Sequence, residues 1–236
     1  MPRRDGLSAA VRLQWAEVDI GRPPKTEDLE LLSRDEIERA DRFRVDRPRR
    51  VFVASRAALR RTLGRELECD PRAIVFSIGC HGKPRIAPDC DLHFNLSHSG
   101  STIALGIAHG VEIGVDIEEV TRSVAFEDLA DRFFAVSEAA AVRSSCPHAR
   151  RRLFFHFWTA KEAVLKATGS GLSVPVRNVE IGPDPDATPG MLSFGGDRTE
   201  ARLWHLHREE HEGRWMVTLA YRGERRPLVV EEIRRP

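Results

Sequence analysis

The chain has 236 residues, 41% hydrophobic and 31% charged, with a formal net charge of +1 at pH 7, which fits a soluble globular protein of one large domain or two small ones. So small a net charge gives no reason to expect nucleic acid or a membrane as the main partner, and no run approaches the ~18 apolar residues of a membrane span. The opening MPRRDGLSAAVRLQW is basic but has no apolar core, so it is not a secretion signal; Cys69, Cys80, Cys90 and Cys146 form no C-x-x-C pair and read as reduced thiols of a cytoplasmic protein.

Residues 33–66 are predicted to be helical in two pieces. Ser33 and Glu36 fit a capping box, with Ile37, Ala40 and Phe43 following at helical spacing. Pro48 interrupts, and the second piece, striped by Phe52, Leu59 and Leu63, is expected to end at Gly64 as a C-terminal cap. From Ile74 the period changes to two. AIVFSI, LHFNLS and TIALGIA are predicted strands. His109 and Gly110 make a turn into GVEIGVDIEEV, where Val111, Ile113, Val115 and Ile117 face one way and Glu112, Gly114, Asp116 and Glu118 the other. Helices follow at roughly 125–132, 137–145 and 149–168, with Ser137 as the N-cap of the middle one. After Gly171 the chain returns to strands: PVRNVEIG, then RLWHLH and RWMVTLAY as a hairpin. The order suggests two α+β halves joined near residues 109–112.

Asp116 and Glu118 emerge on one face of a strand. That spacing suits a hard cation held by carboxylates, and equally a solvated polar face. Gly114 on the same face leaves room for a close neighbour. Glu162 and Lys166 lie one turn apart on FHFWTAKEAVLKATGSGL, a helix apolar almost all round and therefore buried. Its charges either line a cleft or pair with one another. Lys161 and Lys166 flank Glu162, an arrangement suited to a metal carboxylate beside a polyphosphate. Only four of the 37 basic residues are lysines. An ammonium is a compact charge whose pKa moves on burial, which a guanidinium is not. Lys83 lies in a turn before Pro84, and Ser97, His98 and Ser99 follow a strand where loops carry function. Their hydroxyls and imidazole suit a phosphate, or simply a polar turn. Ser97 and His98 are adjacent with no G-x-S-x-G elbow, against a hydrolase triad. The remaining histidines show no ligand spacing, and His207 and His211 read as surface residues.

Taken together, HGKP, FNLSHSG, GVDIE and FWTAKEAVLKATGSGL, in that order, resemble the Sfp-type 4′-phosphopantetheinyl transferases over about residues 33–180. The resemblance implies an α+β fold of two similar halves in one chain, a pseudo-dimer, with residues 1–110 giving coenzyme A nucleotide contacts and 111–236 the metal site and carrier docking. It implies transfer of the phosphopantetheine arm of coenzyme A to a serine of an apo acyl, peptidyl or aryl carrier protein, releasing adenosine 3′,5′-bisphosphate, in secondary-metabolite or fatty acid assembly. Asp116, Glu118 and Glu162 match the family's Mg²⁺ carboxylates. Glu162, Lys166 and Asp116 match its catalytic groups, Glu162 taking the serine proton and Lys166 attending the leaving bisphosphate. Lys83, Ser97, His98 and Lys161 match coenzyme A contacts, and Arg39 and Arg50 fall near the basic residues that bind its 3′-phosphate. Glu36 departs from the pattern, standing where some members place a lysine. A cytoplasmic monomer is expected, with no nucleic-acid or membrane partner. Two other readings compete: a metal-dependent nuclease, from the D-x-E and E-x-x-x-K pattern, and a carrier-protein binder without catalysis.

Overall fold

The computed structural model describes residues 10–233 apart from residue 80, so Cys80 and the N-terminal stretch before residue 10 lie outside the described residues. In chain order the first part runs β1 (Val11–Glu17), α1 (Thr26–Leu29), α2 (Arg34–Asp41), α3 (Asp46–Glu66), β2 (Val75–Ile78), β3 (Pro84–Ala87), β4 (Leu92–Ser99) and β5 (Thr102–His109). The second runs β6 (Ile113–Glu119), α4 (Phe126–Phe133), α5 (Val136–Ser144), α6 (Pro147–Thr168), β7 (Val179–Ile181), β8 (Met191–Phe194), α7 (Arg198–Ala201), β9 (Trp204–His211), β10 (Trp215–Arg222) and β11 (Leu228–Glu232).

Two main sheets form. One has the order β11-β1-β5-β4 and the other β6-β10-β9. They pack face to face through Val11, Leu13 and Ala104 on one side and Ile113, Val115, Ile117, Val217 and Leu219 on the other. Period-two alternation decides what each outer face meets. On the first sheet Phe94, Leu105 and Ile107 pack against Leu59 and Leu63 of α3. On the second, Met216 and Ala220 of β10 pack with Phe157, Ala160 and Val164 of α6. The result is helix, sheet, sheet, helix: two α+β halves back to back.

Strand β1 was not among the predicted elements, nor was β11, which runs parallel to β1 with Val11 opposite Leu228. Four local expectations are corrected. Pro48 lies in the first turn of α3, where a missing N–H costs nothing, so it starts the helix rather than interrupting it. Gly64 is not a cap: it is buried inside α3, where a Cβ would come within 2.8 Å of Pro71 Cγ. Ser137 is not the N-cap of α5, which begins at Val136; the Ala135 N–H there donates to the Glu138 carboxylate. His207 and His211 are not free surface residues, since their rings stack on Tyr221 and Trp15.

Candidate active site

Strand β6 carries its carboxylates on the face turned toward α6, because Ile113, Val115 and Ile117 are drawn into the inter-sheet core. Gly114 lets the two elements touch. A Cβ there would fall 2.0 Å from the Ala163 carbonyl oxygen and 2.4 Å from the Ala167 nitrogen. The close neighbour anticipated at Gly114 is thus the backbone of α6. This contact sets the two residues of α6 that flank Ala163 and Ala167, Glu162 and Lys166, beside Asp116.

The Asp116 side chain is almost wholly buried. Its Oδ1 accepts from Lys166 Nζ at 2.5 Å and from Ser97 Oγ at 3.0 Å, and Lys166 also donates to Ser97 at 2.9 Å. Asp116 Oδ2 is buried with no hydrogen-bond partner. Burial pushes the Asp116 carboxyl up, against Lys166 and Ser97. Burial and then the Asp116 charge raise Glu118, and the same two causes raise Glu162 over the opposing pull of Lys166. Three carboxyls raised by burial, two of them also by the Asp116 charge, with one ammonium at hand, are short of positive charge.

A divalent cation is what such a donor set fits. The orphaned Asp116 oxygen is free to serve as one ligand, and Glu118 and Glu162 lie close enough to feel its charge. Among the described residues no three His, Cys, Asp or Glu side chains converge as a ready-made metal cage. Mg²⁺ does not ask for one, since it is usually bound through one or two carboxylates, with water and substrate phosphate completing the octahedron.

Beside this cluster lies a cleft of about 280 Å³, lined by His81 and Lys83 from the β2–β3 loop, Asn95 and Leu96 from β4, Glu162 and Lys166 from α6, and Gly169 just past its end. His98, a predicted contact, is exposed and does not line it; partial desolvation and then the Lys166 charge push its imidazole pKa down. Lys83 reaches the cleft with its stem only. Its ammonium has three donors, and they go to Glu112 Oε2 at 2.7 Å, the Ile113 carbonyl at 3.0 Å and the Ala167 carbonyl at 3.3 Å. Burial pushes its pKa down.

Other predicted contacts are not brought together with the cluster. Lys161 is wholly buried, paired with Glu138 at 2.6 Å and bonded to the Val179 carbonyl. It points away from Lys166, tying α6 to α5 and β7. Arg39 stacks over the Phe52 ring at 5.1 Å. Arg50 donates to the Ile20 carbonyl at 2.6 Å and lines a separate cavity of about 300 Å³ with Arg22, Lys25 and Arg61. Neither arginine lines the cleft. Glu36 is occupied by Arg56 and Arg60; burial raises its pKa, but those two cations and the Ser33 N–H outweigh it and the net direction is down.

Asn95 escaped the sequence reading, and Ser99, read there with Ser97 and His98 as a phosphate contact beyond the strand, lies inside β4 and bonds β6 instead. Asn95 Oδ1 accepts from the Val115 N–H at 2.9 Å. Ser99 Oγ donates to Glu118 Oε2 at 2.8 Å and accepts from the Glu119 N–H at 3.1 Å. The alternation Asn95, Ser97, Ser99 was the available signal: it places all three on one face of β4.

Residues 112–220, which hold this cluster, match the model of the 4′-phosphopantetheinyl transferase superfamily. Over 179 residues the chain is 35% identical to a Synechocystis sp. protein assigned to the 4′-phosphopantetheinyl transferases, an alignment covering 75% of this chain and 71% of that protein. The chain belongs to the 4′-phosphopantetheinyl transferase superfamily. It is also 38% identical over 157 residues to the 4′-phosphopantetheinyl transferase HetI of Nostoc sp., covering 65% of this chain and 66% of HetI. With the 4′-phosphopantetheinyl transferase Sfp of Bacillus subtilis it shares 33% identity over 123 residues, 52% of this chain and 54% of Sfp. The superfamily match begins at Glu112, so the carboxylates of β6 and α6 fall inside it and Ser97, Ser99 and Lys83 before it.

Proposed function

We propose that this chain transfers the 4′-phosphopantetheine arm of coenzyme A to a serine of an apo acyl, peptidyl or aryl carrier protein, in secondary-metabolite assembly. The observation that carries this reading is the buried Asp116 carboxylate, one oxygen held by Lys166 and the other unpartnered, beside a cleft walled by Glu162 and Lys166. Asp116, Glu118 and Glu162 would hold Mg²⁺. When bound, that ion supplies neutralisation of the charge that develops on the pyrophosphate.

The chain's own groups do the rest. The carrier serine oxygen attacks the phosphorus that bears the pantetheine arm. The bond from that phosphorus to the oxygen of the nucleotide phosphate breaks, and adenosine 3′,5′-bisphosphate leaves. Glu162 takes the serine proton, directly or through one water. Lys166 holds Asp116 and faces the departing bisphosphate with a compact positive charge. His98 and Ser97 receive the phosphate end of coenzyme A. Residues 1–110 provide those nucleotide contacts and 111–236 the metal ligands and the carrier surface. The protein works as a cytoplasmic monomer, its two halves supplying both sides of the site; among the described residues no helix is long and apolar enough to cross a membrane.

The test is intact-mass spectrometry of an apo peptidyl carrier protein incubated with the chain, coenzyme A and Mg²⁺, with an apo acyl carrier protein beside it. A gain of one phosphopantetheine on either carrier, lost with chelator and slowed ~10²–10⁴-fold by Glu162→Ala, is the expected result. No gain on any carrier while coenzyme A still binds would replace the enzyme with a carrier binder. Mg²⁺-dependent DNA cleavage without carrier modification would replace it with a nuclease.

A further inference from the structure

Strands β4 and β6 are the outer strands of two different sheets, and among the described residues no backbone ladder joins them. Side chains of β4 make the seam instead. Asn95, Ser97 and Ser99 are all buried, and each reaches β6, at the Val115 N–H, the Asp116 carboxylate, and the Glu118 carboxylate with the Glu119 N–H.

The proton direction at Ser99 is fixed by chemistry. The Glu119 N–H can only donate, so the hydroxyl oxygen accepts there. Its single proton is left for Glu118 Oε2. A hydroxyl held at both ends has one orientation, and so does the carboxylate it grips. Glu118 has a competing partner. Arg122, one turn of chain further on and more than half exposed, reaches the same Oε2 at 3.4 Å. Ser99 holds Glu118 Oε2 from the buried side, and Arg122 reaches it from the solvent side.

We propose that Ser99 is the positioning residue for Glu118, holding its carboxylate beside Asp116 against the pull of Arg122. The inference rests on Asp116 and Glu118 being metal ligands of the proposed transferase. Groups that orient a ligand from behind cost about 10–100-fold in metal affinity when removed, so a loss of about tenfold is expected for Ser99→Ala.

The experiment titrates Mn²⁺ into the full chain with coenzyme A, following the free Mn²⁺ signal by electron paramagnetic resonance. Wild type binds Mn²⁺ and Asp116→Ala does not. Ser99→Ala binds about tenfold more weakly, with unchanged metal-free coenzyme A affinity. Arg122→Ala alone stays within twofold of wild type, and Ser99→Ala/Arg122→Ala recovers most of the loss, because the outward partner is gone. A role in the fold alone would give no such recovery. If Ser99→Ala melts before it can be titrated, Ser99→Cys fills the same space with a weaker donor and shows a smaller loss in the same direction. Wild-type affinity in Ser99→Ala, or no recovery in the double variant, overturns the proposal and leaves the metal reading standing. No Mn²⁺ binding by wild type overturns the metal reading, and this one with it.

Discussion

Replacing Gly114 by alanine tests how the site is assembled. The new methyl would sit 2.0 Å from the Ala163 oxygen and 2.4 Å from the Ala167 nitrogen. Non-bonded heavy atoms need roughly 3.5 Å, so α6 must retreat from β6 by about 1 Å or more. Both opposing atoms belong to the helix backbone, which has no rotamer to yield. Overpacking costs about 1–3 kcal/mol in general, and with no side chain to give way we place this at the top, about 3 kcal/mol. For a chain of this size that is a fall of about 6–12 °C in Tm. The retreat also carries Glu162 and Lys166 away from Asp116, and a misplacement of ~1 Å can cost ~10²-fold in rate. Gly106→Ala is the control, since a Cβ there meets only Ile113 and Leu219 side-chain atoms at 3.5 Å, an ordinary contact. Thermal unfolding by circular dichroism and the carrier-mass assay read both quantities. A Gly114→Ala protein that melts within about 2 °C of wild type and keeps its rate would refute the view that this contact sets the carboxylate geometry.

Two further outcomes follow from buried charge. Lys161→Met leaves Glu138 buried without its ammonium, and breaking such a pair costs about 3–5 kcal/mol; chemical denaturation should show that loss, while coenzyme A affinity of the folded protein stays within twofold, and a tenfold drop would return Lys161 to the ligand. His156 is held neutral: its Nε2 bonds the Gly182 carbonyl and its Nδ1 faces Arg208 at 2.6 Å. Burial pushes its pKa down to about 4. The unfolded chain therefore takes this proton first, and the stability is present above pH ~6.5 and lost as pH falls toward 4. Melts across that window should show a smaller pH slope for His156→Gln; an unchanged slope would place the titration elsewhere.

Much of the site was legible because it depends on short-range periodicity. Alternation along residues 92–119 places carboxylates and hydroxyls on faces, and the four-residue step from Glu162 to Lys166 puts both on one side of α6. The same rule also held a signal against Lys161. Five residues along a helix turn it by about 140° beyond a full turn, so Lys161 and Lys166 cannot share a cleft. What the sequence hides is contact between distant segments. Nothing in the VRLQWAE of β1 names LVVEE of β11 as its partner, because parallel pairing has no turn to announce it. Gly64 looked like a cap because the approach of Pro71 that requires it comes from a later turn of chain.

The place of β11 has a consequence for synthesis. The first sheet takes one outer strand from residues 228–232, although its other three strands are made by residue 109. A ribosome delivers the chain from its N-terminus, so this sheet stays one strand short, with the β1 edge bare, until residues 228–232 have emerged. Cutting between the halves would yield two fragments that each lack something the other owns. Such fragments should regain a complete molecule only by meeting, which makes the residue 109–112 junction a natural place to split the protein into a complementing pair.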